Sequence, residues 1–263
     1  MPTFDTPQPV TVRIDLPAGS VRIRGEERAT TSVDVRPDDP HNDAAVRAAE
    51  QIRVGFADGT LSITGSRRPR LLFFTGSSSI SVEVRVPIGS SVEVTATAGN
   101  VECDGSLGDV RAVTKYGDLR VERAASARLR TSAGDIDIAE VAEGAEATTA
   151  YGGIRVGRAG GDVRLDTAYG DITVDHAGAS ISATTRYGQI RVGQVVRGSV
   201  TVESAYGAVE VGVCEGTAAW LEAFSGSGRV RNLLTASEGP EDATDTVEIR
   251  ARTGHGNVVV RRG

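Results

Sequence analysis

The stretch TAYGGIRV, residues 149–156, returns throughout the middle of this chain. It recurs as TAYGDITV at 167–174, TRYGQIRV at 185–192 and SAYGAVEV at 204–211, after two looser copies, TKYGDLRV at 114–121 and TSAGDIDI at 131–138. The shared glycines, here called anchor glycines, are Gly99, Gly117, Gly134, Gly152, Gly170, Gly188 and Gly207, with looser copies at Gly228 and Gly256. A short fixed period of this kind is the signature of a stacked-coil repeat.

Each copy carries two apolar pairs at fixed offsets from its anchor. Two and four residues after Gly152 come Ile154 and Val156, and seven and five residues before Gly170 come Val163 and Leu165. Both pairs alternate with polar residues, and alternation with a period of two indicates a strand with one buried face. The sequence therefore predicts at least two short strands in every repeat, joined by corners that contain glycine.

One such unit cannot bury its own apolar face, but a stack of units can. The predicted fold is all-β: a parallel β-solenoid, similar to a β-helix, of about eight to ten coils, with strands about 4.8 Å apart. The competing repeat fold, a β-propeller, needs roughly 40 residues for each blade. Coils of only about 18 residues favour the solenoid.

The two ends of the chain are less regular than its middle. Residues 1–98 are predicted to form an irregular N-terminal cap, in which VTVRIDLPAGSVRIRG is a divergent first coil, Asn42–Glu50 a short helix and the segment across Asp58-Gly59 a hairpin. Residues 99–263 are predicted to be the regular coils, with an acidic insertion at 236–245. We expect one continuous structural domain, and an uncapped last strand that permits end-to-end self-association.

All five tyrosines of the chain directly precede an anchor glycine. In a solenoid the last four would stack as a ladder along one edge, and two interpretations stay open. The rings either stabilise the corner by stacking on one another or form an aromatic strip that binds a sugar chain, a peptide or another partner. The candidate binding residues of this group are Tyr116, Tyr151, Tyr169, Tyr187 and Tyr206.

A second candidate segment combines basic and apolar residues in front of a serine-rich run. It is either a cap over the open end of the solenoid or an exposed docking loop for a partner or a membrane surface. Its candidate contact residues are Arg67, Arg68, Arg70, Phe73 and Phe74.

Composition limits the classes of partner. The net charge is −6, which disfavours nucleic acid. There is no signal peptide and no long apolar run, so we expect a cytoplasmic protein without a transmembrane segment. The two cysteines, Cys103 and Cys214, do not form a disulfide framework, and Cys103 lies at an inward position where a buried, reduced thiol is expected.

The sequence contains few candidate residues for catalysis or metal binding. The acids Asp118, Asp135 and Asp171 follow their anchors, but the same column continues with Gly153 and Gln189, so the carboxylates are not adjacent. Aspartate after glycine suits a turn, and the calcium-binding nonapeptide pattern is absent. No zinc spacing, nucleophile elbow or phosphate-binding loop is present. We therefore predict no catalytic residues, no metal and no cofactor.

The repeated S/T-x-x-G-D-I-x-V phrase, together with the segments DLPAGSVRIRG and RVPIGSSVEV, resembles a bacterial β-strand-repeat family. This family is known as putative adhesin or toastrack, and it is a domain of unknown function. The resemblance covers about Val10 to Val260. It implies a link to bacterial envelope-stress or regulatory modules and supplies no catalytic residues. In this chain the small residue common before the glycine is replaced by tyrosine in five copies.

Together these observations predict a non-catalytic scaffold or protein-binding module rather than an enzyme. Two alternatives remain, namely an adhesin-like protein that binds carbohydrate or the cell envelope through the tyrosines, and a solenoid polysaccharide lyase or hydrolase. The first would lose saccharide binding on removal of the tyrosines. The second requires a cleft lined by carboxylates from adjacent coils.

Overall fold

The computed structural model describes residues 2–65, 80–234 and 244–263. These residues are mostly β-strand, with most strands paired in parallel, and they divide into two compact units, residues 1–133 and 134–263. The predicted all-β solenoid is confirmed. The predicted candidate segment Arg67–Phe74 lies outside the described residues. Within the described residues, no helix is long and apolar enough to cross a membrane.

Unit 2 contains the regular coils. Its strands are β11 (Ile136–Tyr151), β12 (Ile154–Ala159), β13 (Val163–Tyr169), β14 (Ile172–Ala177), β15 (Ile181–Tyr187), β16 (Ile190–Val195), β17 (Gly198–Tyr206), β18 (Val209–Val213), β19 (Thr217–Ser227), β20 (Val230–Asn232), β21 (Asp245–His255) and β22 (Val258–Arg262). One face of the stack runs β11–β12–β14–β16–β18–β22–β20, and the other runs β11–β13–β15–β17–β21–β19. All of these pairings are parallel.

The apolar offsets predicted from the sequence form continuous columns in unit 2. Ile154 pairs with Ile172, which pairs with Ile190, and the column continues through Val209 to Val258, all of them buried. Every coil adds one residue to each column, so each side chain packs against its equivalent above and below. The core therefore consists of rows that are one residue wide, and a row is buried only when the coils are stacked.

Unit 1 is a shorter stack with an irregular end. Its elements are β1 (Thr3–Asp5), β2 (Thr11–Ala18), β3 (Ser20–Glu26), β4 (Thr30–Pro37), α1 (Asp43–Glu50), β5 (Arg53–Ala57), β6 (Thr60–Thr64), β7 (Ile80–Pro87), β8 (Ser91–Ala98), β9 (Val101–Val113) and β10 (Leu119–Arg130). The first coil, β2–β3, pairs in parallel with β8–β9, so Gly19 lies beside Gly99 although 80 residues separate them in the chain. Cys103 is buried in this unit as predicted, and burial raises the pKa of its thiol to about 12.

The far side of unit 1 is closed by antiparallel strands and a helix. Strand β4 pairs antiparallel with β7 and β1, and β5 pairs antiparallel with β6. The predicted hairpin is confirmed at Asp58-Gly59, where both residues have positive φ, as a two-residue hairpin turn requires. The predicted helix is also confirmed: Oδ1 of Asn42 accepts hydrogen bonds from the amides of Ala44 and Ala45 and caps its first turn.

The last two coils of unit 2 are stacked in an order that the sequence did not predict. The expectation was that the coil 247–260 would be the terminal one. Instead β21–β22 pairs with β17–β18, and the earlier coil β19–β20 packs outside it. Glu210 therefore pairs with Val259 of the later coil and not with Arg231 of the earlier one. Arg261 of that later coil binds Glu210 with an Nε–Oε1 distance of 2.7 Å.

The anchor glycines bring the backbones of neighbouring coils into contact. Gly152 has φ of +147°, and a Cβ atom built on it would lie 2.1 Å from the carbonyl oxygen of Gly134. No side chain fits this position, because both the dihedral angle and the space exclude a Cβ atom. The next residue, Gly153, has its nearest such atom at 3.4 Å, which is ordinary contact. Two consecutive glycines thus have different structural roles.

We predict that Gly152→Ala lowers the free energy of unfolding by about 3 kcal/mol or more, because it combines backbone strain with a clash against a fixed carbonyl group. Gly153→Ala, its immediate neighbour, should change the free energy by no more than about 0.5 kcal/mol. Denaturant unfolding followed by circular dichroism measures both. Equal midpoints for the two variants would show that the close approach at Gly152 does not limit stability.

Candidate binding surface

Four tyrosines form a stacked row along one edge of unit 2. This tyrosine ladder consists of Tyr151, Tyr169, Tyr187 and Tyr206, whose neighbouring ring centroids are 5.0 Å apart with interplanar angles of 4–6°. His255 continues the row at 4.7 Å from Tyr206. Each tyrosine is 46–60% exposed. The predicted ladder is therefore present, and the ring spacing follows the distance between parallel strands.

Hydrogen bonds beneath the ladder hold its corner in register. Three residues before each anchor from Gly152 to Gly207, a buried hydroxyl points inward and donates to the carbonyl oxygen of the anchor one coil earlier. The Oγ–O distance is 3.0 Å for Thr167 and Gly152 and for Thr185 and Gly170, and 2.9 Å for Ser204 and Gly188. These Ser and Thr side chains form an inward ladder of hydroxyl groups, here called the hydroxyl ladder. It fixes the backbone two residues from each tyrosine, so the rings start from equivalent positions.

Stacking determines which parts of the rings a partner can reach. Tyr169 and Tyr187 have another tyrosine against each of their two faces, so the surface they present consists of ring edges and phenol groups. Ring edges are electropositive, and a phenol group both donates and accepts hydrogen bonds. The ladder is thus a firm, amphipathic ridge. Its inner rings do not offer the open faces on which sugars stack.

The fifth tyrosine, Tyr116, stands apart from this row. It belongs to unit 1, where its neighbours in the equivalent column are Ala98 and Ala133. Among the described residues no aromatic ring lies against it, and it is 61% exposed. The structure groups four of the five predicted tyrosines, and the additional member is His255, which occupies the tyrosine position of the coil 245–262.

The aspartates that follow the anchors serve the backbone. Oδ1 of Asp135 accepts a hydrogen bond from the amide of Gly153, and Oδ1 of Asp171 accepts one from Gln189, both at 2.7 Å. Each carboxylate caps the turn of the next coil, which agrees with the turn role expected of them. Within residues 2–65, 80–234 and 244–263, no group of three or more His, Cys, Asp or Glu residues is arranged to hold a metal ion.

Charged side chains flank the ladder on the neighbouring face. Nη2 of Arg155 lies 2.8 Å from Oδ2 of Asp175, and Glu210 binds both Arg191 and Arg261. The hydrogen bond from Arg261 is the main reason that the pKa of Glu210 lies below its usual value. These pairs at a wet surface each contribute little to stability, but opposite charges on adjacent coils favour the observed register.

The outer coil exposes large apolar side chains that the sequence analysis did not identify as a surface. Trp220 is 57% exposed on β19. Phe224, four residues further along β19 and on the same face, is 59% exposed, and Leu233, after β20, is 62% exposed. Their exposure follows from the coil order, because no described coil covers β19 and β20 on their outer side. Only that order, which the repeat offsets do not encode, could have revealed them.

Comparisons with known proteins identify a family and several solved structures that this chain resembles. The family model described as Toastrack DUF4097 matches residues 11–261. A putative adhesin from Bacteroides fragilis is 13% identical, with 98% of this chain and 95% of that one covered at a TM-score of 0.50. A putative adhesin and a putative lipid binding protein, both from Parabacteroides distasonis, are 11% and 10% identical with TM-scores of 0.43 and 0.36, each covering 98% of this chain and 95% of the other. None of the curated proteins matches the chain.

We predict that Thr185→Val destabilises unit 2 by about 1–3 kcal/mol, because it removes the buried hydroxyl that donates a hydrogen bond to the carbonyl group of Gly170. Thr184→Val is the control, since that side chain is exposed on the same strand and should change stability by less than about 0.5 kcal/mol. Urea unfolding of both variants tests this. Equal midpoints would contradict a structural role for the hydroxyl ladder.

Proposed function

The chain belongs to the Toastrack DUF4097 family, and we propose that it is a non-catalytic β-solenoid scaffold that binds another protein along its tyrosine ladder. The observation that carries this proposal is the row of four exposed, mutually stacked rings. Tyrosine is enriched at protein interfaces because one side chain supplies both apolar area and a hydrogen-bonding group.

Preorganisation supports a binding role. A free surface side chain loses conformational entropy when a partner immobilises it, at a cost of about 0.5–1.5 kcal/mol for each side chain. The ladder rings are already held by their neighbours and by the corner beneath them, so a partner meets a surface whose order is established before binding. Four equivalent phenol groups at a 5.0 Å repeat also suit an elongated contact with an extended segment or a regular edge.

A protein partner fits this surface better than a carbohydrate does. Sugars pack their C–H groups on the open faces of aromatic rings, and the faces of Tyr169 and Tyr187 are covered by neighbouring rings. Peptide carbonyl groups and side-chain amides can instead accept from the phenol groups along the ridge. The carboxylates that a lyase or hydrolase would require, Asp135 and Asp171, are bound to backbone amides of the next coil.

Two further predictions remain beside this proposal. The segment Arg67–Phe74 is the second predicted contact, and it lies outside the described residues, so the proposal rests on the ladder alone. The cytoplasmic location and the link to envelope-stress or regulatory systems also stay predictions.

The test is photo-crosslinking from a photo-reactive amino acid introduced at position 187, in the ladder. The control carries the same amino acid at position 184, an exposed position three residues away on the same strand. A direct partner should be captured from position 187 in living cells and much less from position 184. Capture of the same proteins in equal amounts from both positions would show that the ladder is not the contact.

The captured partner then allows a quantitative prediction. Tyr169→Ser combined with Tyr187→Ser should weaken binding by roughly 2 kcal/mol or more, because central tyrosines are frequent energetic hot spots. The control variant Asp166→Ser with Thr184→Ser changes two exposed residues on the same strands and should bind like the wild type. Calorimetric titration of all three proteins, after circular dichroism has shown them folded, measures the difference. Unchanged affinity of the tyrosine variant would leave the ladder a purely structural element.

A further inference from the structure

The outer side of the coil β19–β20 is the exposed end of the stack in unit 2. In the part of the chain that the structure describes, β19 pairs only with β21, and β20 pairs only with β22. Strand β19 is 11 residues long. Natural proteins protect such edges by making them short or by placing prolines, lysines or bulges on them. This strand has no proline or lysine, and Glu222 is its only charged residue.

The hydrophobic core continues to this edge, and no other described segment of unit 2 closes it there. The column that contains Ile249 is buried in the inner coils, and its last member, Leu221, is only half-buried. On the other face Val258 is fully buried, and its outer neighbour Val230 is 46% exposed. A further coil placed over this end would bury both positions, as every inner coil does for its neighbours.

We propose that a second copy of this chain covers this edge, with the two β19 strands paired antiparallel about a two-fold axis at Leu221. A two-fold contact uses the same patch on both copies, so the patch must be complementary to itself. The inward residues of β19 read Ala219, Leu221 and Ala223, a small–large–small row that is unchanged when its direction is reversed. With Leu221 on the axis, Ala219 of each copy faces Ala223 of the other.

The outward side chains select the same register. With Leu221 on the axis, Trp220 lies opposite Glu222 of the second copy, and Phe224 lies opposite Ala218, so large residues meet smaller ones. Moving the axis by one residue to Glu222 would place the two carboxylates directly opposite each other, which is unfavourable. It would also set Trp220 against Phe224. Charge and volume therefore favour the axis at Leu221.

Among the described residues of unit 1, the antiparallel end offers no comparable partner surface for a head-to-tail arrangement. The strands at its antiparallel end, β1 and β5, have only 3 and 5 residues. They are connected by stacking of Phe4 on Phe56, whose ring centroids are 5.1 Å apart, and helix α1 packs in the same region. These short strands match neither the length nor the alternation of β19. The complementary surface for β19 is thus β19 of another copy.

The first test is the oligomeric state of the full chain by sedimentation velocity across a wide concentration range. The wild type should form a reversible dimer, and Leu221→Arg should raise the dimer dissociation constant by at least about tenfold, because the two cations would face each other on the axis. Thr184→Arg adds the same charge on an exposed inner-coil position and should dimerise like the wild type. A wild type that stays monomeric, or a Leu221→Arg variant that dimerises normally, would overturn the proposal.

The second test measures the register and does not depend on a destabilising substitution. In a Cys214→Ser background, Leu221→Cys should form a disulfide-linked dimer on mild oxidation, because directly opposite Cβ atoms of an antiparallel pair are within disulfide reach. Ala223→Cys should crosslink far less, since its partner position is Ala219. The remaining thiol, Cys103, is buried. Preferential crosslinking of Ala223→Cys, or equal crosslinking of both variants, would refute the two-fold axis at Leu221. The tyrosine ladder is unchanged in all these variants, so this proposal and the proposed function can fail independently.

Discussion

The contact between anchor corners of adjacent coils sets the geometry of the whole repeat. At Gly152 and its equivalents the backbone of one coil passes so near the carbonyl group of the previous coil that a Cβ atom cannot be accommodated. The carbonyl group of Gly134, which Gly152 approaches, also accepts a hydrogen bond from the hydroxyl of Thr149, so close approach and hydrogen bonding reinforce each other. Strand spacing, the alignment of the core columns and the position of each tyrosine all follow from this corner. A coil that deviated here would lose its register with both neighbours.

The tyrosine ladder illustrates how a structural repeat produces a surface property. Ring stacking is usually considered for its stabilising effect, about 0.5–1.5 kcal/mol for each pair. Here it also removes ring faces from solvent and leaves a line of edges and phenol groups, which changes the kind of partner the surface suits. His255 occupies the tyrosine position of the coil 245–262 and extends the row by one further ring.

Much of this architecture could be predicted from the sequence because a short exact period leaves few physical solutions. The inward columns, the hydroxyl row, the hairpin at Asp58-Gly59 and the helix after Asn42 all depend on local patterns, and each is present. The order of the coils at the ends could not be predicted. Every coil carries apolar residues at the same offsets from its anchor glycine. The pattern therefore allows either the coil of Gly228 or the coil of Gly256 to stack on the coil of Gly207. In the same way it allows the coil of Gly19 to stack on that of Gly99. Which neighbour is chosen depends on loop lengths and on outward residues such as Arg261. The exposed edge at Trp220 and Phe224, a consequence of that order, was missed for the same reason.

The position of the coil β21–β22, between β17–β18 and β19–β20, has a consequence for biosynthesis. Residues 217–232 leave the ribosome before residues 245–262, yet the later segment occupies the position between β17–β18 and the earlier segment. The coils of Gly152 to Gly207 can be added to the stack one after another as they are translated. The coil of Gly228 cannot, because its native docking surface does not exist until β21 and β22 have been made. Translation of this region therefore passes through an interval in which the coil of Gly228 has been made but its native neighbours, β21 and β22, have not.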